Sequence, residues 1–467
     1  MPKQSLFPLE YFFEILNSPR VKPLAQRLHP SIVLNVLKGV FDDAYGELRA
    51  AISEQRRPAL NELLEKIVAR LVYLRDVAEP LVIDARGRII PNDFERLADV
   101  ALEESAWLAA EPTSEYARRQ DALREKDALA RLARLGGAER AIVFPTTELA
   151  RLAVLQAILD DNRALVVARR DLYERENGDR IERVFDVFPA LERVEIGACN
   201  AVAIEDYERA LRGRRACVWR SVGRWLVDGR SVRGDEFAKL REDGECDFET
   251  ILDVEFAPIV NLSAYFDVAI PTVADRVKSG YDVVLCNGAQ LIGGPLCGIV
   301  FCSREASERI AETTPSRNCK LDRVAFGALA KTLSLYDEPE KALANIPVLK
   351  MLTASIANLE NRAERLAAIL ETLDCVESAR VAQGRAFLCS VATLGSSPTR
   401  LVEIRPKGFS AAEFAAKLER ESSPSLLVKW TRDSVFIDLK TLAPEQDLVV
   451  SELMERFDDM LKNELAQ

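Results

Sequence analysis

The stretch DVVLCNGAQLIGGPLCGIVFC (residues 282–302) holds two apolar runs, DVVLC (282–286) and CGIVFC (297–302), around a turn carrying Gly288, Gly293, Gly294 and Gly298. Short runs without polar alternation suit strands buried on both faces. The same kind of run recurs upstream in AIVF (141–144), ALVV (164–167), VEI (194–196), ACVW (216–219) and TILDVEF (250–256), with helical stretches between. Strands alternating with helices predict an α/β domain with a mostly parallel sheet, over about 76–345.

On the N-terminal side, residues 1–75 read as a helical subdomain. Ile32, Val33, Val36, Leu37, Val40 and Phe41 recur at helical spacing, and Leu60, Leu63, Leu64, Ile67, Val68 and Leu71 form a second stripe. On the other side, 346–467 reads as a small α+β domain. It opens on one long helix from Ile346 to Leu373. Strands are then expected at FLCSVATL (387–394), LVEIRP (401–406), LLVKW (426–430) and SVFIDL (434–439), with helices near 410–420 and from about 444.

Composition narrows the chemistry. The chain has 467 residues, 63 basic against 74 acidic, and one histidine, His29. A single imidazole rules out zinc sites built on several histidines and argues against a Ser-His-Asp triad. The nine cysteines include no CxxC pair, so no metal cluster and no disulfide framework is expected. The net charge of −11 gives no general attraction to phosphate backbones. The N-terminus lacks a signal-peptide pattern and the longest nearly apolar run, 291–302, is too short for a bilayer, so a cytoplasmic protein without a membrane partner is expected.

Asp253 stands inside an apolar run that reads as a central strand, where a carboxylate needs a cationic partner or a role. Two readings are open: a strand-end aspartate capping a loop, or a carboxylate that holds a proton on a heteroaromatic cofactor nitrogen.

From Asp253 through about Thr353 the chain resembles the bacterial selenocysteine synthase family (L-seryl-tRNA(Sec) selenium transferase). That family has an Asp-bearing strand followed by a Ser-Gly-Asp-Lys-Leu-Leu-Gly-Gly-Pro loop. Asp253 falls on its pyridine-nitrogen aspartate, and Gly293-Gly294-Pro295 and Gly298 fall on its loop. SRNCKLDRVAFGALAKTLSLYDEPEKALANIPVLKMLT (316–353) is similar to its arginine-bearing segment. Weaker likeness covers 135–144, 194–211 and 429–442. The resemblance implies fold type I of the pyridoxal phosphate (PLP) enzymes, PLP as cofactor, a homo-oligomer, and tRNA as a partner, against which the acidic charge counts.

The departures are chemical. The family's PLP lysine falls on Gln290, whose amide cannot form a Schiff base, and the aspartate before it is Ala289. The histidine that lies against the ring falls on Val222, and the early Thr-Gly motif is reduced to 85–90. The asparagine-rich turn near the phosphate is replaced by Phe144-Pro145-Thr146-Thr147. Thr146 and Thr147 are read either as an N-cap or as part of an anion site at a helix N-terminus. Arg317 and Lys320 fall on the family's anion-binding arginines, or form surface ion pairs. Lys278 and Lys320 are weighed as substitute amines, and neither is convincing.

Three functions are therefore expected in order. The first is a degenerate family member without Schiff-base catalysis, PLP being non-covalent or absent. The second is an active PLP-dependent transferase acting on seryl-tRNA(Sec) or a related aminoacyl or phosphorylated substrate. The third is a non-catalytic binding or assembly partner.

Overall fold

The computed structural model describes residues 82–89 and 97–465 apart from 112–113, 160–162, 173–181, 199, 223–230, 243–245, 255–256 and 389–394, together with residues 18, 21, 67 and 68. The helical subdomain expected over 1–75, with His29, lies outside the described residues. Met1–Leu81 and Val82–Gln467 form separate units, and the second carries everything that follows.

Its main sheet has seven strands: β2 (Arg140–Phe144), β3 (Arg163–Ala168), β4 (Arg193–Ile196), β5 (Arg215–Val222), β6 (Asp247–Val254), β7 (Val283–Asn287) and β8 (Gly298–Cys302). They lie in the order β2-β8-β7-β6-β5-β3-β4. Pairing is parallel except where β8 runs against both β2 and β7, so the sheet is mostly parallel as expected.

Both faces are covered, which is why these strands read as continuous apolar runs. On one face Val167, Trp219, Ile251, Leu285 and Val300 pack against Ala150, Val154 and Ile158. The opposite face sets Leu252, Val284, Cys286, Ile299 and Phe301 against Leu132 and Leu329. Leu132 belongs to helix α1 (Glu115–Gly136), and Ala150, Val154 and Ile158 to helix α2 (Thr147–Ile158).

A second sheet joins β9 (Val376–Phe387), β10 (Ser396–Pro406), β12 (Lys429–Trp430) and β13 (Val435–Asp438) in the antiparallel order β12-β13-β10-β9. Most of the strand expected at 387–394 lies outside the described residues, and the strand before it, β9, was not expected. Its sequence, VESARVAQGRAF, alternates buried and exposed positions and so lacks the unbroken apolar run that marks a fully covered strand. The expected helix from Ile346 to Leu373 is also two helices, Pro347–Thr353 and α3 (Ile356–Leu370). Ser355 restarts it, its hydroxyl accepting from the Asn358 amide at 3.2 Å.

Helices α3, α4 (Ala411–Glu421) and α5 (Gln446–Leu465) cover this sheet in a core with Leu366, Val402, Ile404, Phe414, Ile437 and Phe457. The short strand β1 (Val82–Asp84) pairs in parallel with β11 (Ser425–Leu427) and sends Ile83 into the same core. Among the described residues no helix is long and apolar enough to cross a membrane.

At the start of β6, Glu249 ties the sheet to its neighbours. It accepts from Arg163 Nη1 at 2.5 Å and from Arg309 Nη1 and Nη2 at 2.9 and 2.6 Å. Burial pushes its carboxyl up, but the Arg309 and Arg163 hydrogen bonds and charges more than offset that, so it ionises below the usual carboxylate range. A depressed native pKa contributes stability above the unfolded value of about 4.3, and that stability is lost as pH falls through the native value. Glu249→Gln therefore costs about 1–2 kcal/mol at neutral pH. The difference from the native chain narrows below about pH 4, as urea melts at several pH values would show.

Candidate active site

The carboxyl ends of β5, β6 and β7 lie side by side, with Ser221 opposite Asp253 and Asp253 opposite Leu285. The chain leaves β7 through Asn287, whose side-chain oxygen accepts from the Ala289 amide at 2.9 Å and starts a turn. Gly288 N–H bonds Cys297 O at 2.8 Å and Gly294 N–H bonds Gly288 O at 2.9 Å, which closes the loop on itself. From outside, Tyr336 donates its hydroxyl to Ile292 O at 2.8 Å.

Gln290 sits inside this loop, 6 % exposed, and its φ of 44° is left-handed. Among the described residues it is the one non-glycine with a positive φ. Such a backbone is held only where its surroundings over-determine it. Here the turn after Asn287, the Gly293 N–H bond to Gln290 O at 3.1 Å and the close packing of the glycines do so. At Gly293, φ is 71° and a Cβ would stand 2.2 Å from Ile346 Cγ2; at Gly298 it would stand 2.5 Å from Thr146 O.

Asp253, on the penultimate residue of β6, is 1 % exposed. Its partner is Arg151 from α2, itself 2 % exposed. Arg151 Nε donates to Oδ2 at 2.8 Å and Nη2 to Oδ1 at 3.2 Å, a two-pronged contact that engages both carboxylate oxygens. Its Nη1 reaches the exposed Glu148 carboxylate at 3.1 Å. The three charged groups form one chain from the sheet interior to the first turn of α2.

Sequence reasoning asked for a cation beside Asp253 but did not identify Arg151. The signal lies in helical phase. Thr147, Arg151, Val154 and Ile158 fall on one buried face of α2, so this arginine interrupts a stripe that otherwise meets the sheet.

The other expected residues divide. Thr146 is the N-cap of α2, its hydroxyl accepting from the Leu149 amide at 3.2 Å, and Thr147 is buried behind it. Val222 is half-buried at the end of β5. Arg317 is exposed and paired with Glu312, and Lys320 is exposed. Both follow Thr314, whose amide bonds Gln156 in the last turn of α2. At 1.5 Å per residue, that turn is roughly 14 Å along the helix from Thr147. The segment that carries Arg317 and Lys320 thus starts beside the last turn of α2. Lys278 is exposed at the end of helix Val273–Lys278.

The two cysteines flanking the loop, Cys286 and Cys297, are buried, and burial pushes their thiols up, Cys297 to about 12. They are packing groups, not nucleophiles.

The sequence profile of the L-seryl-tRNA selenium transferase family matches residues 95–443. The L-seryl-tRNA(Sec) selenium transferase of Alkaliphilus oremlandii is 27 % identical over 451 residues, 93 % of this chain and 94 % of that one. That of Desulfomicrobium baculatum is 30 % identical over 403 residues, 82 % and 84 % of the two chains. Among solved structures, D-glucosaminate-6-phosphate ammonia-lyase superposes with a TM-score of 0.59 at 17 % identity, covering 83 % of this chain and 98 % of that one. That likeness speaks for the fold alone, the mixed α/β scaffold of fold type I that the family resemblance implies. The chain belongs to the L-seryl-tRNA selenium transferase family.

Proposed function

We propose that this chain is a selenocysteine synthase scaffold that no longer works through a Schiff base. The observation that carries the reading is Gln290: a carboxamide, buried and held in a left-handed turn, stands where the resemblance places the coenzyme lysine. An amide nitrogen is neither basic nor nucleophilic. It can neither attach an aldehyde nor shuttle a proton at a substrate carbon.

The surrounding groups fit pyridoxal phosphate poorly as well. Asp253 is engaged through both oxygens by Arg151, and Thr146 spends its hydroxyl on capping α2. Glu148 places a carboxylate at the helix end where a phosphate would need the positive pole. What these residues do instead is hold the sheet ends and α2 in one rigid polar junction. In this reading the protein is a cytoplasmic homo-oligomer. Exposed apolar side chains such as Trp107, at 68 %, and Leu123 support assembly with further copies.

The test is conversion of seryl-tRNA(Sec) with selenophosphate by the purified protein supplied with pyridoxal phosphate. No product above the enzyme-free control is expected even at high protein concentration. Selenocysteinyl-tRNA formed in proportion to protein would overturn the reading.

A further inference from the structure

We infer that Arg151 occupies the place of the coenzyme's ring nitrogen, so that the site is shut to a pyridine ring by the protein's own guanidinium, independently of the missing lysine. This rests on the reading above for the position of the site and adds a second, separable barrier to it.

A pyridinium bound at a strand-end aspartate would itself be the counter-ion of that carboxylate. Here the counter-ion is built in. Arg151 and Asp253 are both nearly inaccessible and meet through two charge-assisted hydrogen bonds, Nε–Oδ2 at 2.8 Å and Nη2–Oδ1 at 3.2 Å. A ring nitrogen offers the same carboxylate one N–H. It would also have to displace a donor tethered to α2, which competes without loss of translational freedom.

The outward nitrogen of the guanidinium is already at Glu148, in the first turn of α2, and a retreat that way would break both charge-assisted hydrogen bonds to the buried Asp253 carboxylate. The apolar neighbours of Arg151 on α2, Ala150 and Val154, are packed into the sheet core and offer no polar alternative. The lysine loss removes the covalent bond; the arginine takes the carboxylate that a non-covalent ring would use.

Four full-length proteins separate the two barriers: native, Gln290→Lys, Arg151→Gln and the double variant. Each is treated with pyridoxal phosphate and then borohydride. An introduced amine that reaches the aldehyde condenses with loss of one water, and hydride reduces the C=N bond to a stable secondary amine read by peptide mass. Equilibrium dialysis measures binding before reduction.

The expected result is an adduct at position 290 in the double variant, at least tenfold less in Gln290→Lys, and at least tenfold tighter non-covalent binding by Arg151→Gln than by the native protein. Equal trapping by Gln290→Lys and the double variant, or none by either, overturns the inference while leaving the Gln290 reading in place. A stoichiometric adduct on the native protein would overturn that reading instead.

Should Arg151→Gln not fold, the native protein decides. The Arg151 Nε–H resonance is expected to persist unshifted through a pyridoxal phosphate titration, and its displacement on saturable binding overturns the inference.

Discussion

Arg151→Ala lowers the unfolding free energy by about 3–5 kcal/mol, because it removes the guanidinium that engages both oxygens of the buried Asp253 carboxylate. The exposed Glu148 partner contributes little to this, since surface ion pairs are worth about 0–1 kcal/mol. Asp253→Asn falls in the same direction for the mirror reason, a buried guanidinium whose remaining carboxylate partner is the exposed Glu148. The informative comparison is the double replacement Arg151→Met/Asp253→Leu, which removes both charges and keeps the volume. A buried ion pair exchanged for apolar side chains is about neutral, so most of the single-variant loss returns. Guanidinium or urea melts of the four proteins form a double-mutant cycle. Additive losses would show that the pair does not act as a unit.

Gly298→Ala costs about 3 kcal/mol by overpacking where α2 meets the sheet. A Cβ at that position would lie 2.5 Å from Thr146 O, 2.8 Å from Thr147 Cα and 2.8 Å from Ala150 Cβ. Two of the three obstacles are backbone, so no rotamer change relieves them, and the N-terminal turn of α2 has to lift from β8. That turn carries Thr146, Glu148 and Arg151. The variant is therefore expected to lose protection from hydrogen exchange in the first turn of α2 before the rest of the sheet. Uniform loss across the sheet would contradict this coupling.

The strands of the main sheet were legible because burial on both faces writes continuous apolar runs: DVVLC and CGIVFC fall on β7 and β8 to within a residue or two. β9 was not, because a strand with one wet face alternates, and its VESARVAQGRAF resembles the polar stretches around it. The break at Ala354-Ser355 was hidden for another reason: apolar spacing carries through it, and only the Ser355 cap marks the new start.

At the site, Asp253 announced itself as a charge inside an apolar run. Arg151 did not, since an arginine in a helix is ordinarily a solvated residue, and its inward phase becomes meaningful only once α2 is laid on the sheet. Thr146 was legible as a cap from its place before the helix. Arg317 and Lys320 carried the right charge, but no spacing rule could show that the segment carrying them starts at Thr314 beside the last turn of α2.

The most direct measurement is borohydride reduction of the native protein after incubation with pyridoxal phosphate, followed by intact mass and peptide mapping. The expected result is an unchanged mass apart from scattered, substoichiometric labelling of exposed lysines. One equivalent of pyridoxyl group on a single lysine would contradict it.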